Sequence, residues 1–333
     1  MTHRVAAIDC GTNSIRLLIA DIKSDSDDLE RSRGSRDSAR SPVPPLVDLS
    51  REMRIVRLGE GVDRTGRLSA AALDRTMTAL REYAGLIAET KPEAVRMVAT
   101  SATRDAENSQ EFTDRVIDVL GVAPEVISGD EEARLSFAGA TRELMGAPPG
   151  ADGGCPPPYL VTDIGGGSTE FILGGPEGVD NARSVNIGCV RLTERHLHGD
   201  PPLGQEVAET IADIDAALAL AAAEVPVHQA RTLVGLAGSV TTVGGIALGL
   251  GHYDSARIHH SRVSAARVHQ IAAGLLAMTR AERAAIPVMH PGRVDVIGAG
   301  ALILDRIMNS FAFAEVLVSE HDILDGIAWS LVP

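Results

Sequence analysis

Two apolar runs, Val5 to Ile8 and Tyr159 to Thr162, are followed by the same punctuation: an Asp, a glycine-bearing turn, then a second apolar run. From Asp9 the chain reads D-C-G-T-N-S-I-R-L-L-I, and from Asp163 it reads D-I-G-G-G-S-T-E-F-I-L. Aligned without a gap, Asp9 falls on Asp163, Gly11 on Gly165 and Ser14 on Ser168. Each copy predicts strand, tight turn, strand. Residues 24–45 are polar, mixed in charge and end in prolines, which predicts a mobile insertion between strands. Met53 to Leu58 then reads as a strand and Ser69 to Glu89 as an amphipathic helix with Ser69 as its cap. A strand over Ala94–Ala99, a helix over Ser109–Leu120 and a strand over Pro124–Ile127 follow. A helix from Asp130 to about Leu144 leads into a Pro/Gly-rich loop. Past the second hairpin come a strand near Arg183–Ile187 and helices over Val190–Leu197 and Gln205–Ala223. Thr232–Leu236 reads as a strand running into A-G-S-V-T-T, a third Gly-Ser turn that opens a helix. The chain is then mostly helical to Asn309, with a last strand over Glu315–Ser319 and a final helix from about His321. Strands alternating with helices give the α/β class.

One glycine turn is commonplace, but two matching turns, each led by an Asp, point to duplicated lobes closing on one site. Successive backbone N–H groups solvate phosphate oxygens, and glycine lets the chain come close enough. The Asp would repel a phosphate, so its natural partner is a hard cation between the two. Thr12, Ser14, Ser168 and Thr169 add hydroxyls. Glu170 lies two residues past Ser168 and shares its face of the strand, and Arg16 holds the matching place beside Ser14. An arginine there can fork onto phosphate.

Composition narrows the classes. With 333 residues, 44% apolar and 23% charged, the chain has room for two domains and the balance of an ordinary globular protein. Aromatics are only 3%, so the cores must come from Ala, Val, Leu and Ile. Neither a bilayer-spanning run nor a signal-peptide segment is evident, so no membrane partner and a cytoplasmic location are expected. Cys10, Cys155 and Cys189 contain no C-x-x-C, which argues against a disulfide framework or zinc ribbon. A net charge of −14 argues against nucleic-acid binding, but a local basic strip still acts within about 10 Å. The P-loop pattern is absent, which removes one large class of nucleotide hydrolases.

Six segments taken together resemble the exopolyphosphatase / guanosine pentaphosphate phosphatase family, within the actin, Hsc70 and sugar-kinase superfamily. They are I-D-C-G-T-N-S-I-R-L-L-I from Ile8, A-T-S-A-T-R-D-A-E-N from Ala99, I-S-G-D-E-E-A-R-L from Ile127, D-I-G-G-G-S-T-E from Asp163, L-A-G-S-V-T-T from Leu236 and S-E-H-D-I-L-D-G-I from Ser319. The chain looks like the short, two-domain, actinobacterial form. The insertion after Asp21 departs from the family pattern. The resemblance implies two actin-like (ribonuclease H-like) lobes with mixed sheets and flanking helices around a central cleft. One lobe would span 1–128 plus about 311–333, the other 129–310.

It further implies metal-dependent release of terminal orthophosphate from inorganic polyphosphate. Guanosine pentaphosphate is the alternative substrate, and the penta- or tetraphosphate could instead act as inhibitor. Mg²⁺ is the implied ion, with Mn²⁺ as a substitute and a monovalent cation as an addition; the implied assembly is a homodimer. A bare Glu-Glu pair reads by default as two exposed residues favoured by a helix dipole; the resemblance selects Glu132 as the base that aims water. Asp163 and Glu170 are the expected metal carboxylates, with Asp9 their mirror across the cleft. Gly11, Thr12, Asn13, Ser14, Arg16, Arg104, Gly165, Gly166, Gly167, Ser168, Thr169, Gly238 and Ser239 are the expected phosphate contacts. For Arg104 an ordinary surface ion pair is nearly as good a reading. His196, His198, His259, His260 and His290 show no zinc-like spacing, and His321 lacks companion histidines, so structural or surface roles are expected. Arg257 to Arg262, R-I-H-H-S-R, is a candidate basic strip for a long polyanion. Two other classes share the frame: a kinase, disfavoured by Glu132, and a non-catalytic sensor of alarmone or polyphosphate.

Overall fold

The computed structural model describes residues 1–23, 46–146 and 155–332. The 24–45 insertion reading therefore lies outside the described residues. The first sheet contains β1 (Thr2–Cys10), β2 (Ser14–Lys23), β3 (Leu46–Ile55), β4 (Ala94–Ala99) and β5 (Glu125–Val126), in the order β3-β2-β1-β4-β5. The second contains β6 (Tyr159–Ile164), β7 (Thr169–Gly175), β8 (Gly178–Val185), β9 (Thr232–Leu236), β10 (Arg262–Ser264) and β11 (Glu315–Val318), in the order β10-β11-β9-β6-β7-β8. Read from its other end, the second sheet repeats the first: three antiparallel strands, then two parallel ones, with β10 added at the edge. The expected duplication extends from one hairpin to a whole sheet.

Strand β1 is covered on both faces, and its alternation divides two cores. Ala6, Ile8 and Cys10 pack with Leu73, Met77, Leu80 and Tyr83 of the Ala70–Thr90 helix. Val5 and Ala7 turn the other way, onto Ile323, Leu324, Ile327 and Ala328 of the C-terminal helix Ile323–Trp329. Asp9 is in step with Val5 and Ala7, which sends its carboxylate toward the start of that helix.

Two helices cross where the chain passes between lobes. Ala133, Phe137, Ala140 and Leu144 of the Gly129–Gly146 helix pack on the second sheet, while its Leu135 joins the C-terminal helix under the first. At the crossing, a Cβ on Gly139 would overlap the Asp322 carbonyl, and one on Gly326 the Leu135 carbonyl. Both sites must be glycine for the helices to come this close.

Besides β8, which starts at Gly178 rather than near Arg183, and β10, which falls in a stretch read as mostly helical, three elements differ from the sequence reading. β3 runs over Leu46–Ile55 rather than Met53–Leu58, because none of the residues of this edge strand is fully buried and the strand carries little apolar signal. β11 pairs with β9 in the second sheet, so the return to the first lobe comes after it and not near residue 311. The last helix starts at Ile323, with the Asp322 side chain accepting the Leu324 N–H as its cap.

Candidate active site

The two glycine turns face each other. A Cβ on Gly166 would stand 2.9 Å from Thr12 Cβ, and one on Gly167 2.7 Å from Ser101 Oγ. In both copies the chain beyond the third strand returns and takes the carbonyls of the turn. In the first, Val56 and Arg57 N–H donate to Asn13 O at 3.0 and 2.9 Å, and Gly59 N–H to Thr12 O at 2.9 Å. In the second, Cys189 N–H donates to Gly165 O at 3.0 Å, and Val190 and Arg191 N–H to Gly166 O at 2.9 and 3.1 Å. Arg191 Nε completes the set on Gly167 O at 2.7 Å. A trans peptide points each following N–H opposite its carbonyl. The amides of Asn13, Ser14, Gly166, Gly167 and Ser168 are therefore aimed away from this packing. On that side Gly11, Thr12, Asn13, Ser14, Gly165, Gly166 and Ser168 line a cleft of about 100 Å³. Rows of convergent amides are anion cradles. Gly238 and Ser239 line the same cleft from the first turn of the Ala237–Ala247 helix, whose N-terminus also favours an anion.

The duplication differs in charge. Asp9 faces Arg16 across the first hairpin, and Asp163 faces Glu170 at the matching place in the second. Arg16 puts Nε and Nη2 on Asp9 Oδ2 at 3.0 and 2.6 Å, and Nη1 on Asp322. The first pair is thus neutralised, whereas Asp163 and Glu170 repel. Seryl hydroxyls hold them: Ser136 Oγ donates to Asp163 at 2.8 Å and Ser184 Oγ to Glu170 at 2.7 Å. Asp9, Glu132, Asp163, Glu170 and Asp322 are all buried, and the guanidinium groups bonded to them are those of Arg16 and Arg104. Burial and the neighbouring Asp322 push Asp163 up to about 7; burial and Asp163 push Glu170 up to about 7. Glu132 is raised well above the carboxylate range by burial and then by Glu170. Asp9 is raised by burial despite Arg16. Burial opposes the charge on Asp322, yet Arg16 outweighs it and holds Asp322 below its usual range. The set is all oxygen with surplus buried negative charge, the chemistry that a hard divalent cation takes, although Glu170 does not line the cleft and, among the described residues, no three of these carboxylates converge to within 4.8 Å of one another.

Glu132 sits in the first turn of its helix and enters the cleft. Arg104 does not line that cleft; its Nη1 bridges Glu132 Oε2 and Ile127 O, each at 3.0 Å. Glu131 points elsewhere, toward Arg96 at 3.4 Å. Thr169 turns from the cleft as well, its hydroxyl donating to Ile187 O at 2.7 Å. Gly167 lies behind the cleft beside Thr12, Asp63 and Arg191.

Sequence reasoning missed Arg293, Asp322, Ser136 and Arg191. Arg293 lines both the cleft and an adjoining cavity of about 440 Å³, and donates to Thr242 Oγ1 at 3.2 Å. No motif marked it. Asp322 lay inside a quoted motif, but the His321-Asp322 pair, for want of companion histidines, was set aside as the opening of a helix. The histidines also gained a setting. Glu143, His259 and His321 converge, with His259 Nε2 to Glu143 at 3.0 Å and His321 Nδ1 to Glu143 at 3.5 Å. His259 Nδ1 accepts the Glu320 N–H at 3.1 Å, so the proton of the neutral ring sits on Nε2, facing Glu143. A metal would need the lone pair there. The cluster is a hydrogen-bonded staple, and the His259 bond lowers Glu143 to about 2.

The model of the Ppx/GppA phosphatase family matches residues 37–333. Exopolyphosphatase 2 of Mycobacterium tuberculosis is 49% identical over 98% of both chains. Guanosine-5'-triphosphate,3'-diphosphate pyrophosphatase of Aeromonas salmonicida is 28% identical over 98% of this chain and 59% of its own. Among solved structures, an exopolyphosphatase-like protein superposes with a TM-score of 0.87 and 41% identity, over 98% of each chain.

Proposed function

The chain belongs to the Ppx/GppA phosphatase family, and from that premise we propose that it is an exopolyphosphatase, hydrolysing the terminal phosphoanhydride bond of inorganic polyphosphate. The observation that carries this reading is the pair of facing glycine turns, with their amides aimed at one cleft that Glu132 also enters. Two amide cradles suit consecutive phosphates of a chain, and a carboxylate beside them suits a water that attacks the last one.

In this reading the amides of Asn13, Ser14, Gly166 and Ser168 hold the terminal and penultimate phosphates, with the Thr12 and Ser14 hydroxyls beside them. Glu132 accepts a proton from water and aims its oxygen in line with the terminal phosphorus. Arg104 holds the Glu132 carboxylate at 3.0 Å and so fixes its direction. Asp163 and Glu170, with Asp9 opposite, are the residues that would hold a divalent cation. A cation held there would supply neutralisation of the negative charge that develops as the anhydride bond breaks. Water adds to phosphorus, the anhydride bond breaks, and the shortened chain leaves as the conjugate base. Arg293 stands where the chain would continue toward the larger cavity.

Orthophosphate release from purified protein with Mg²⁺, using polyphosphates of several lengths, guanosine pentaphosphate and ATP, tests the proposal. Polyphosphate should be turned over fastest. Faster turnover of the pentaphosphate would make the nucleotide the substrate, and no release from any of the three would refute the reading.

A further inference from the structure

Arg191 reaches three separate parts of the molecule. It lies in the Cys189–His196 helix of the second lobe with its side chain 12% exposed. Its Nε donates to Gly167 O at 2.7 Å, and its Nη2 to Asp105 Oδ2 at 2.6 Å; its Nη1 is on Asp63. The first partner belongs to the glycine turn of its own lobe. The other two belong to the first lobe, and each is tied to the site. Asp105 ends the Ser101–Arg104 turn, which carries Ser101 against Thr12 and Arg104 against Glu132. Asp63 lies in the Val62–Thr65 turn, just past the segment that holds the carbonyls of the first glycine turn.

We propose that Arg191 is a positioning residue that couples closure of the two lobes to assembly of the phosphate cradle. The Gly167–Ser168 peptide has a glycine on its N-terminal side, so its rotation meets little steric resistance. The guanidinium on Gly167 O fixes that rotation and thereby aims the Ser168 N–H. The same guanidinium is directed by two carboxylates that leave it when the lobes part. In the closed molecule all three bonds form together, and the planar fork of arginine suits such a joint. In an opened molecule Arg191 loses Asp63 and Asp105, and the peptide loses its fixed orientation. Arg195 also reaches Asp63, at 3.0 Å, so Asp63 keeps a partner; Asp105 is the arm specific to Arg191.

This inference rests on the polyphosphatase reading, and the test separates the two: an inactive wild-type protein refutes that reading, whereas an active one leaves Arg191 to be judged alone. Steady-state orthophosphate release is measured for wild type, Asp105→Asn and Arg191→Ala. Asp105→Asn weakens closure but keeps the bond to Gly167 O, so KM for polyphosphate should rise about tenfold, with kcat within about twofold of wild type. Arg191→Ala removes both functions, so kcat should also fall, by about tenfold or more. Arg191→Lys, which keeps the charge without the fork, should recover KM better than kcat. Small-angle scattering of Asp105→Asn without substrate should show a larger radius of gyration than wild type, and it decides the matter if Arg191→Ala fails to fold. Wild-type kcat and KM in folded Arg191→Ala, or an Asp105→Asn variant with unchanged KM and unchanged radius, overturns the proposal.

Discussion

Replacing Glu132 by Gln keeps the shape of the side chain and removes its ability to take a proton. Glu132 is 7% exposed, lines the cleft, and has Arg104 Nη1 at 3.0 Å from Oε2. A Gln Oε1 can still accept that bond, so the local fold should survive. General-base assistance is worth about 10²–10⁴ in rate, or about 2.7–5.4 kcal/mol of barrier. Removing a buried carboxylate beside Glu170 also relieves repulsion, so polyphosphate affinity should hold or rise. Glu131→Gln makes the same charge change one residue earlier. Its partner Arg96 keeps Glu125 at 2.8 Å, so the loss is a partly exposed ion pair worth about 0–1 kcal/mol of stability. Stopped-flow phosphate release measures turnover, and binding is read separately by titration with a fluorescent polyphosphate. Glu132→Gln should lose turnover by at least about a hundredfold while retaining affinity, and Glu131→Gln should stay within about threefold of wild type. Equal losses in the two variants would mean that helix-start charge, and not a base, is responsible. A fully active Glu132→Gln would remove Glu132 from the mechanism altogether.

Asp163→Asn and Glu170→Gln should each raise the Mg²⁺ concentration required for half-maximal rate, as titration of activity with metal will show; unchanged metal dependence moves that residue out of the site. The folded-state values near 7 for Asp163 and Glu170 lie above the ordinary 3.8 and 4.5, so between about pH 4.5 and 7 the native protein binds more protons than the unfolded chain. Metal-free protein should therefore lose stability as pH rises through that window, and Mg²⁺ should restore it with release of protons; thermal melts and calorimetry in buffers of different ionisation enthalpy check both. Gly139→Ala places a Cβ on the Asp322 carbonyl at the helix crossing, and should cost about 1–3 kcal/mol in denaturant unfolding; an unchanged midpoint would show that the two helices can separate freely. Replacing residues 24–45 by a short Gly/Ser turn should leave kcat/KM within a few-fold, since halving a loop changes closure entropy by only about 0.6 kcal/mol. A larger loss with the fold intact would mean that its arginines touch substrate.

Much of this protein is legible along the chain because it rests on local chemistry. A glycine turn flanked by apolar runs is a short-range instruction, and writing it twice, at Asp9 and Asp163, announces two lobes before any contact is known. The residues that line the cleft from those turns and from Gly238 and Ser239 lie in such motifs, whereas Glu132 was selected by the family resemblance, because a bare Glu-Glu pair at a helix start reads as two exposed residues. Where a strand buries none of its residues fully, as on β3, the periodic signal fades and the boundary is misplaced. The charge balance of the site was not legible. Arg16 was named for phosphate and does line the cleft, but its pairing with Asp322, more than 300 residues along the chain, had no signal in the sequence. Arg104 looked like a surface or substrate arginine until the fold set it on Glu132. Ser136, Arg191 and Arg293 carry no motif, because their partners come from distant segments that share no spacing in the sequence. Local sequence specifies a turn by the dihedral angles its residues allow. Which charge faces which is decided by packing, when two sheets and two crossing helices bring remote side chains within hydrogen-bonding distance.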